Sequence, residues 1–403
     1  MWIVKGQVNE WERVKRATLA FAFFNFFVVA LTGLFLRSLP FWTYPLDAHH
    51  FLHGHSHFAF GGWILPLLSW AIMHYLPRLA QKIAPVRWMQ INAGLVLSAW
   101  GMLLSFPFQG YGPVSIAFST ASLGCSAWMA WLLNRASRGM RKEIPVRFLR
   151  AGLFYLLLSA MGPFALGPLA ANGLAGSAWY FDTIYFFLHF QYNGWFIFAL
   201  LAVGYSVAGQ EAAVRGRAVF YLMHAACLPA YFLSMLWHKP GLFFHLAGGM
   251  AAVLQLIAFG FFLRDLVKVR NRSKLRLLFS FVLAAFGLKL LLQLLSAFPL
   301  FAGLAAAQRS FVIAYLHLVL LGVISLCGFA LVALAHPVFA SRLKSIVPFF
   351  LFGFISTELL LVAGAFGAQY AFALPHRDLL LFICSLPLPV FGFLAWRAVM
   401  SEQ

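Results

Sequence analysis

The sequence predicts an all-α polytopic membrane protein, a single bundle of twelve transmembrane helices over residues 1–403. Three observations predict it. Hydrophobic residues fill 63% of the 403 positions and charged residues 10%, at a mean hydropathy of +0.86; soluble domains hold about 45–50% and about 25%. The apolar residues fall in blocks of about 20, each long enough to cross a ~30 Å hydrocarbon core as a helix. The basic residues gather at alternate ends of those blocks. A soluble enzyme, a disordered chain, a collagen-like repeat and, with 4 cysteines, a disulfide scaffold are excluded.

Each span is bounded by its charges. The first, 16–37, follows a segment running from Lys5 to Arg16. The second, 53–76, and third, 87–106, are joined by Arg78 to Arg87. The fourth, 113–133, and fifth, 148–168, flank the basic run Arg135 to Arg150; the sixth, 181–206, and seventh, 217–237, flank Arg215 and Arg217. Spans eight, 241–263, and nine, 276–298, flank Arg264 to Arg276. Spans ten, 310–334, and eleven, 346–367, flank Arg342 and Lys344, and Arg397 closes span twelve, 379–399. These ends hold 24 of the 29 Lys and Arg; the opposite ends hold Arg37, Lys239, Arg309 and Arg377, and Lys289 lies inside span nine. Under the positive-inside rule the split puts both termini in the cytoplasm and requires an even helix count. The net charge of +19 is therefore a topology signal, and no nucleic-acid partner is expected; the partner the composition implies is membrane lipid. The polar, charged start argues against a cleavable signal peptide. Cys125, Cys227, Cys327 and Cys384 stand singly inside apolar spans and read as small buried hydrophobes.

Ionisable side chains inside a bilayer cost a few kcal/mol or more, so the 13 His need a reason. Ten belong to the outer half of the spans. His53, His55 and His57 open span two, after His49 and His50, which read as a solvated loop. His189 in span six and His317 in span ten lie ~10–13 Å below the outer surface. His238 closes span seven, and His245 opens span eight. Taken singly, each is a helix-end histidine bonded to backbone. Taken together at one depth, they point to a metal or haem, because neutral imidazole is the commonest metal ligand and bundles build cofactor sites from facing side chains. On a helix His53 and His57 share a face, with His55 rotated ~160° away, and spacing alone leaves open which face is inward.

Several segments at this depth carry a family pattern: Val312-Ile313-Ala314-Tyr315-Leu316-His317-Leu318-Val319-Leu320 in span ten; His55 through Phe60-Gly61-Gly62 to Pro66 in span two; His189-Phe190-Gln191-Tyr192-Asn193-Gly194-Trp195 in span six; Leu236-Trp237-His238 ending span seven; and Leu374-Pro375-His376-Arg377 before span twelve. In this order the chain resembles the catalytic subunit (subunit I) of the haem–copper oxidase and nitric oxide reductase superfamily, as a divergent member. The resemblance implies a low-spin, bis-His haem ligated by His317 and by His55, with His53 and His57 still open, and Arg377 on the haem propionates. It implies copper or non-haem iron at His189 and His238. The chain departs from the family where a second, high-spin haem is held, since Tyr315 stands in the place of its ligand. Asn193 replaces the acidic residue, and one histidine of the family's pair beside His238 is missing. His245 would supply a missing metal ligand, or Tyr315 would ligate haem as phenolate; both stay open.

The function expected is a membrane oxidoreductase that takes electrons through the low-spin haem and reduces a small diatomic, NO or O₂, at the outer metal site. Lys289 and Glu358, near the middle of spans nine and eleven, are proton-relay candidates, or else a buried ion pair or neutral groups. The catalytic candidates are therefore Tyr315, Asn193, Lys289 and Glu358. The resemblance further implies a quinol or cytochrome donor, other respiratory subunits and the bacterial inner membrane. The alternative, motivated by Tyr315 and the lone His238, is a non-catalytic haem- or copper-binding sensor, carrier or assembly factor. Asp182, at the mouth of span six, reads as a helix cap.

Overall fold

The computed structural model describes the backbone of residues 2–209, 215–272, 274–372 and 374–401, and the side chains of 10–209, 215–267, 274–372 and 374–401. Lys5, Lys268, Arg270 and Arg272, counted in the charge split, lie outside the described side chains. No strand occurs among the described residues. Twelve helices are long and apolar enough to cross a membrane: α1 Glu10–Ser38, α2 Ala48–Tyr75, α3 Pro85–Gln109, α4 Pro113–Ala136, α5 Ile144–Ala171, α6 Ala178–Ala208, α7 Gly216–His238, α8 Leu242–Val267, α9 Arg276–Leu295, α10 Arg309–Ala335, α11 Pro337–Tyr370 and α12 Arg377–Met400. Each overlaps one expected span.

The differences lie at the ends, where polar residues enter the helices. α2 starts at Ala48 because Asp47 caps it, accepting from the His50 amide at 2.8 Å. His49 and His50 therefore occupy a helical first turn, not the loop the sequence suggests. That backbone bond holds the exposed Asp47 carboxyl below its ordinary value. α11 starts at Pro337, well before residue 346, since proline at a first helical position loses no hydrogen bond. α7 tightens to a 3₁₀ helix over Pro229–His238, where the proline offers no N–H and crowds the preceding turn.

Three helices contain a π-helical turn: Ala59–Ile64 in α2, Phe190–Phe196 in α6 and Leu318–Ser325 in α10. These are also the most buried of the twelve, with 83%, 83% and 72% of their apolar stretch covered against 56% or less elsewhere. A π turn disturbs the i→i−4 ladder, and side chains take up carbonyls around it. Asn25 Nδ2 of α1 donates to Gly62 O at 2.7 Å, and Ser325 Oγ donates to Leu320 O at 2.7 Å.

By internal packing the chain divides into two compact units: Met1–Ala136 with Gly328–Gly364 and Ala373–Gln403, and Ser137–Cys327 with Ala365–Phe372. The first unit is centred on buried rings. Phe26 lies 4.7 Å from Trp63 and 5.4 Å from Phe329 between centroids, and Phe329 lies 4.9 Å from Phe391. Asn25 is fully buried in this packing; its Oδ1 accepts from Trp100 Nε1 at 3.1 Å. In the second unit α5 and α6 approach closely at Gly194. A Cβ there would lie 2.5 Å from Tyr155 Cβ, and the Tyr155 ring stacks on Phe190 at 5.8 Å.

Candidate functional site

In the first unit the three histidines of α2 take two faces. His53 packs against His49 and Tyr111, and His57 stacks on Phe106 at 4.8 Å with its Nε2 3.3 Å from Tyr111 Oη. His55 turns the other way, to α1. Its Nδ1 lies 2.9 Å from Thr32 Oγ1, and that hydroxyl lies 2.9 Å from Val29 O. A threonine hydroxyl has one proton, and the carbonyl can only accept. Thr32 therefore donates to Val29 and accepts from His55 Nδ1–H, which makes Nε2 the basic nitrogen of the ring. Gly33 allows this approach, since a Cβ there would lie 3.3 Å from His55 Cε1.

One helical turn beyond Gly33 comes Arg37. It lies within electrostatic reach of Arg377, Glu358 and Asp378, and the Arg377 guanidinium lies over Gly364 of α11, filling the space a side chain would need. Two arginines and two carboxylates of the first unit thus lie within electrostatic reach around Arg37. The sequence reading names Arg377 and Glu358 but passes over Arg37. Its signal was there: it is one of only four basic residues at the sparse ends of the spans. Glu358 lies within electrostatic reach of Arg37, and Lys289 bonds Gln293.

In the second unit His189, Gln191 and Asn193 of α6 are buried. His189 Nε2 lies 2.8 Å from Cys227 O of α7, and Asn193 Nδ2 lies 3.1 Å from His189 Nδ1. The carbonyl fixes the proton on Nε2, so Nδ1 accepts from Asn193 and both ring nitrogens are used. Asn193 Oδ1, Trp195 Nε1 and Gln293 Nε2 are buried with no hydrogen-bond partner among the described residues. Lys289 of α9, 1% exposed, donates to Gln293 Oε1 at 2.7 Å, and lies within electrostatic reach of His189 and Cys227. Tyr315 of α10 faces Tyr192 with ring centroids 6.2 Å apart. His317 ends the α-helical part of α10, directly before its π turn.

The other two candidate metal ligands have their own partners. His238 Nε2 lies 2.9 Å from Asp182 Oδ2, and Trp237 Nε1 donates to Asp182 Oδ1 at 3.1 Å. Tyr231 Oη donates to Asp182 O at 2.8 Å. His245 Nδ1 lies 2.7 Å from Ala297 O. Seven residues, about 10 Å of α-helix, separate His189 from Asp182, whereas ligands of one ion stand within about 2 Å of it. As placed, His189, His238 and His245 do not converge, and no cluster of three or more His, Cys, Asp or Glu occurs among the described residues. Asp182 is also not the cap of its helix. Ser177 is, accepting from the Tyr180 amide at 3.3 Å; Asp182, 6% exposed, instead fastens the end of α7.

No protein-family model matches the chain, and no curated protein matches it, so the family likeness rests on the residues and their placement.

Proposed function

We propose that the chain is a membrane haem protein that carries electrons, laid out on the subunit I plan of the haem–copper oxidases and nitric oxide reductases. The observation that carries this reading is the Thr32–His55 hydrogen bond. A histidine whose other nitrogen is tied to a hydroxyl has its tautomer and ring orientation fixed, which is how axial and metal-binding imidazoles are held. Arg37 and Arg377 suit the anionic edge of a haem, since guanidinium binds carboxylates by paired hydrogen bonds, and Glu358 and Asp378 lie within electrostatic reach of Arg37. When bound, haem supplies one-electron redox chemistry at a potential set by its axial ligands and surroundings. The second axial candidate of the family likeness, His317, belongs to the other unit, and each histidine is tested by itself. The donor on this reading is a quinol or a cytochrome, and the setting a bacterial cell membrane with both termini in the cytoplasm.

The catalytic half of the likeness has less support. It needs His189, His238 and His245 on one copper or iron, and their separate partners favour a non-catalytic haem protein, a sensor, carrier or assembly factor, over reduction of NO or O₂. The deciding experiment is the oxidised and dithionite-reduced optical spectrum of the purified protein, with haem and metal counted per chain. One low-spin haem is expected, lost in His55→Ala, with His317→Ala read as a separate test. Thr32→Val is expected to weaken haem retention about tenfold or more, while Thr32→Ser keeps it. A colourless protein, or an unchanged spectrum in His55→Ala, refutes the reading. A bound metal with a CO-sensitive component favours the reductase instead.

A further inference from the structure

The basic run between α4 and α5 counts, in the sequence, only toward topology. In the second unit part of it folds into a cavity of about 370 Å³ walled by Arg141, Arg147, Arg150, Phe154, Phe220 and His224. Among the described residues no carboxylate lines it. Arg138 and Arg141 both act on Arg150 with like charge. Hydroxyls orient two of the guanidiniums: Arg147 Nη1 donates to Tyr221 Oη at 3.1 Å and Arg150 Nη1 to Ser137 Oγ at 3.0 Å. Arg147 Nε is buried with no hydrogen-bond partner among the described residues. The opposite wall is fixed, since Tyr155 Oη lies 2.8 Å from His224 Nδ1 and the His224 ring stacks on Phe220 at 5.4 Å. Phe154, 54% exposed, gives the rim an apolar side.

Side chains whose only task is to orient a span need no cavity and no orienting partners. Forked guanidiniums gathered around a concavity and oriented by hydroxyls match the oxygens of a phosphate. We propose that this cavity is a binding site for a phosphate-bearing anion, gripped by Arg147 and Arg150 with Arg141 at the mouth. The chemistry is common to an anionic phospholipid headgroup, whose chains would run past Phe154, and to a free phosphate; basic pockets among transmembrane helices hold lipid headgroups in this way.

The test uses the full-length protein purified in detergent. Phosphatidylglycerol, phosphatidylcholine or inorganic phosphate is added, and bound lipid by native mass spectrometry and melting temperature are read. Wild type is expected to retain phosphatidylglycerol over phosphatidylcholine and to melt higher with it. In Arg147→Gln/Arg150→Gln retention should fall about thirtyfold, from roughly fivefold per basic side chain. Stabilisation by inorganic phosphate alone, lost in the same variant, supports the site with a free anion as its ligand. Equal retention in variant and wild type overturns the proposal. So does an equal loss in Arg342→Gln/Lys344→Gln, which removes two charges from the first unit. Should the double glutamine variant fail to fold, wild type decides by itself: no response to either phosphatidylglycerol or phosphate overturns the site.

Discussion

Removing the Asp182 carboxylate should unfasten the end of α7 from α6. The carboxylate accepts from Trp237 Nε1 at 3.1 Å and pairs with His238 Nε2 at 2.9 Å, and its side chain is 9% exposed. Hydrogen bonds to a charged group contribute about 1.5–3 kcal/mol each. His238 is 23% exposed, so its share falls toward the low end through solvent screening. Asp182→Ala should then cost about 3 kcal/mol. At ~2.1 cal/mol/K per residue over the whole chain, that lowers the melting temperature by roughly 4 °C. Asp182→Asn keeps an acceptor for the indole and offers a donor to the other imidazole tautomer, so it should cost about 1 kcal/mol. The assay is thermal melting followed by tryptophan fluorescence, which Trp237 itself reports. A cycle with His238→Ala should show a coupling of about 1–2 kcal/mol. Melting of the alanine variant at the wild-type temperature, or strict additivity in the cycle, refutes the reasoning. Asparagine as damaging as alanine shows instead that charge, and not hydrogen bonding, holds the pair.

Three further outcomes are expected. Gly194→Ala places a Cβ 2.5 Å from Tyr155 Cβ, a position near the backbone that cannot swing aside, so overpacking should cost about 1–3 kcal/mol or more; Gly152→Ala, nearest neighbour at 3.2 Å, should cost less in the same melt. Asn25→Leu strands the Trp100 indole N–H and the Gly62 carbonyl, each about 1–3 kcal/mol, and a melting temperature equal to wild type contradicts it. Asp47, its carboxyl lowered by the His50 amide, stabilises the first turn of α2 above the ordinary carboxylate range and loses that effect as pH falls through its lowered value. Asp47→Ala should therefore exchange its 48–53 amides faster than wild type at neutral pH and converge with it in acid, after correction for intrinsic exchange; equal protection at neutral pH contradicts this.

The membrane spans are legible because hydropathy and charge are local properties: each of α1 to α12 overlaps a block that can be read off the sequence. Helix starts are less so, since Asp47 and Pro337 extend helices into residues that look like loop. The direction His55 faces was not legible. Three histidines at alternate positions fit either face until Thr32, on another helix and 23 residues away, selects one. Asp182 was misread for the same reason: position near a helix start implies a cap, but its partners, Trp237 and His238, are more than 50 residues on. Arg37 was hidden differently. Its one sequence signal is that it is an exception to the charge rule, and Arg147 and Arg150, which follow the rule, carry no signal beyond topology.

The π turns have a consequence for how α2, α6 and α10 present themselves. Each α-helical residue advances about 100° around the axis, so one residue absorbed in a wide turn resets the angular phase of everything beyond it. From its wide turn onward α6 is buried on every side, Phe190 to Val203, so no single hydrophobic stripe marks a face there. A 3.6-residue period drawn straight through Phe190–Phe196 assigns the second half of α6 to the wrong faces. Deleting one residue there would restore an unbroken α-helix in which the flanking segments keep their faces. The wide turn acts as a phase shifter, and faces on either side of it must be counted from separate origins.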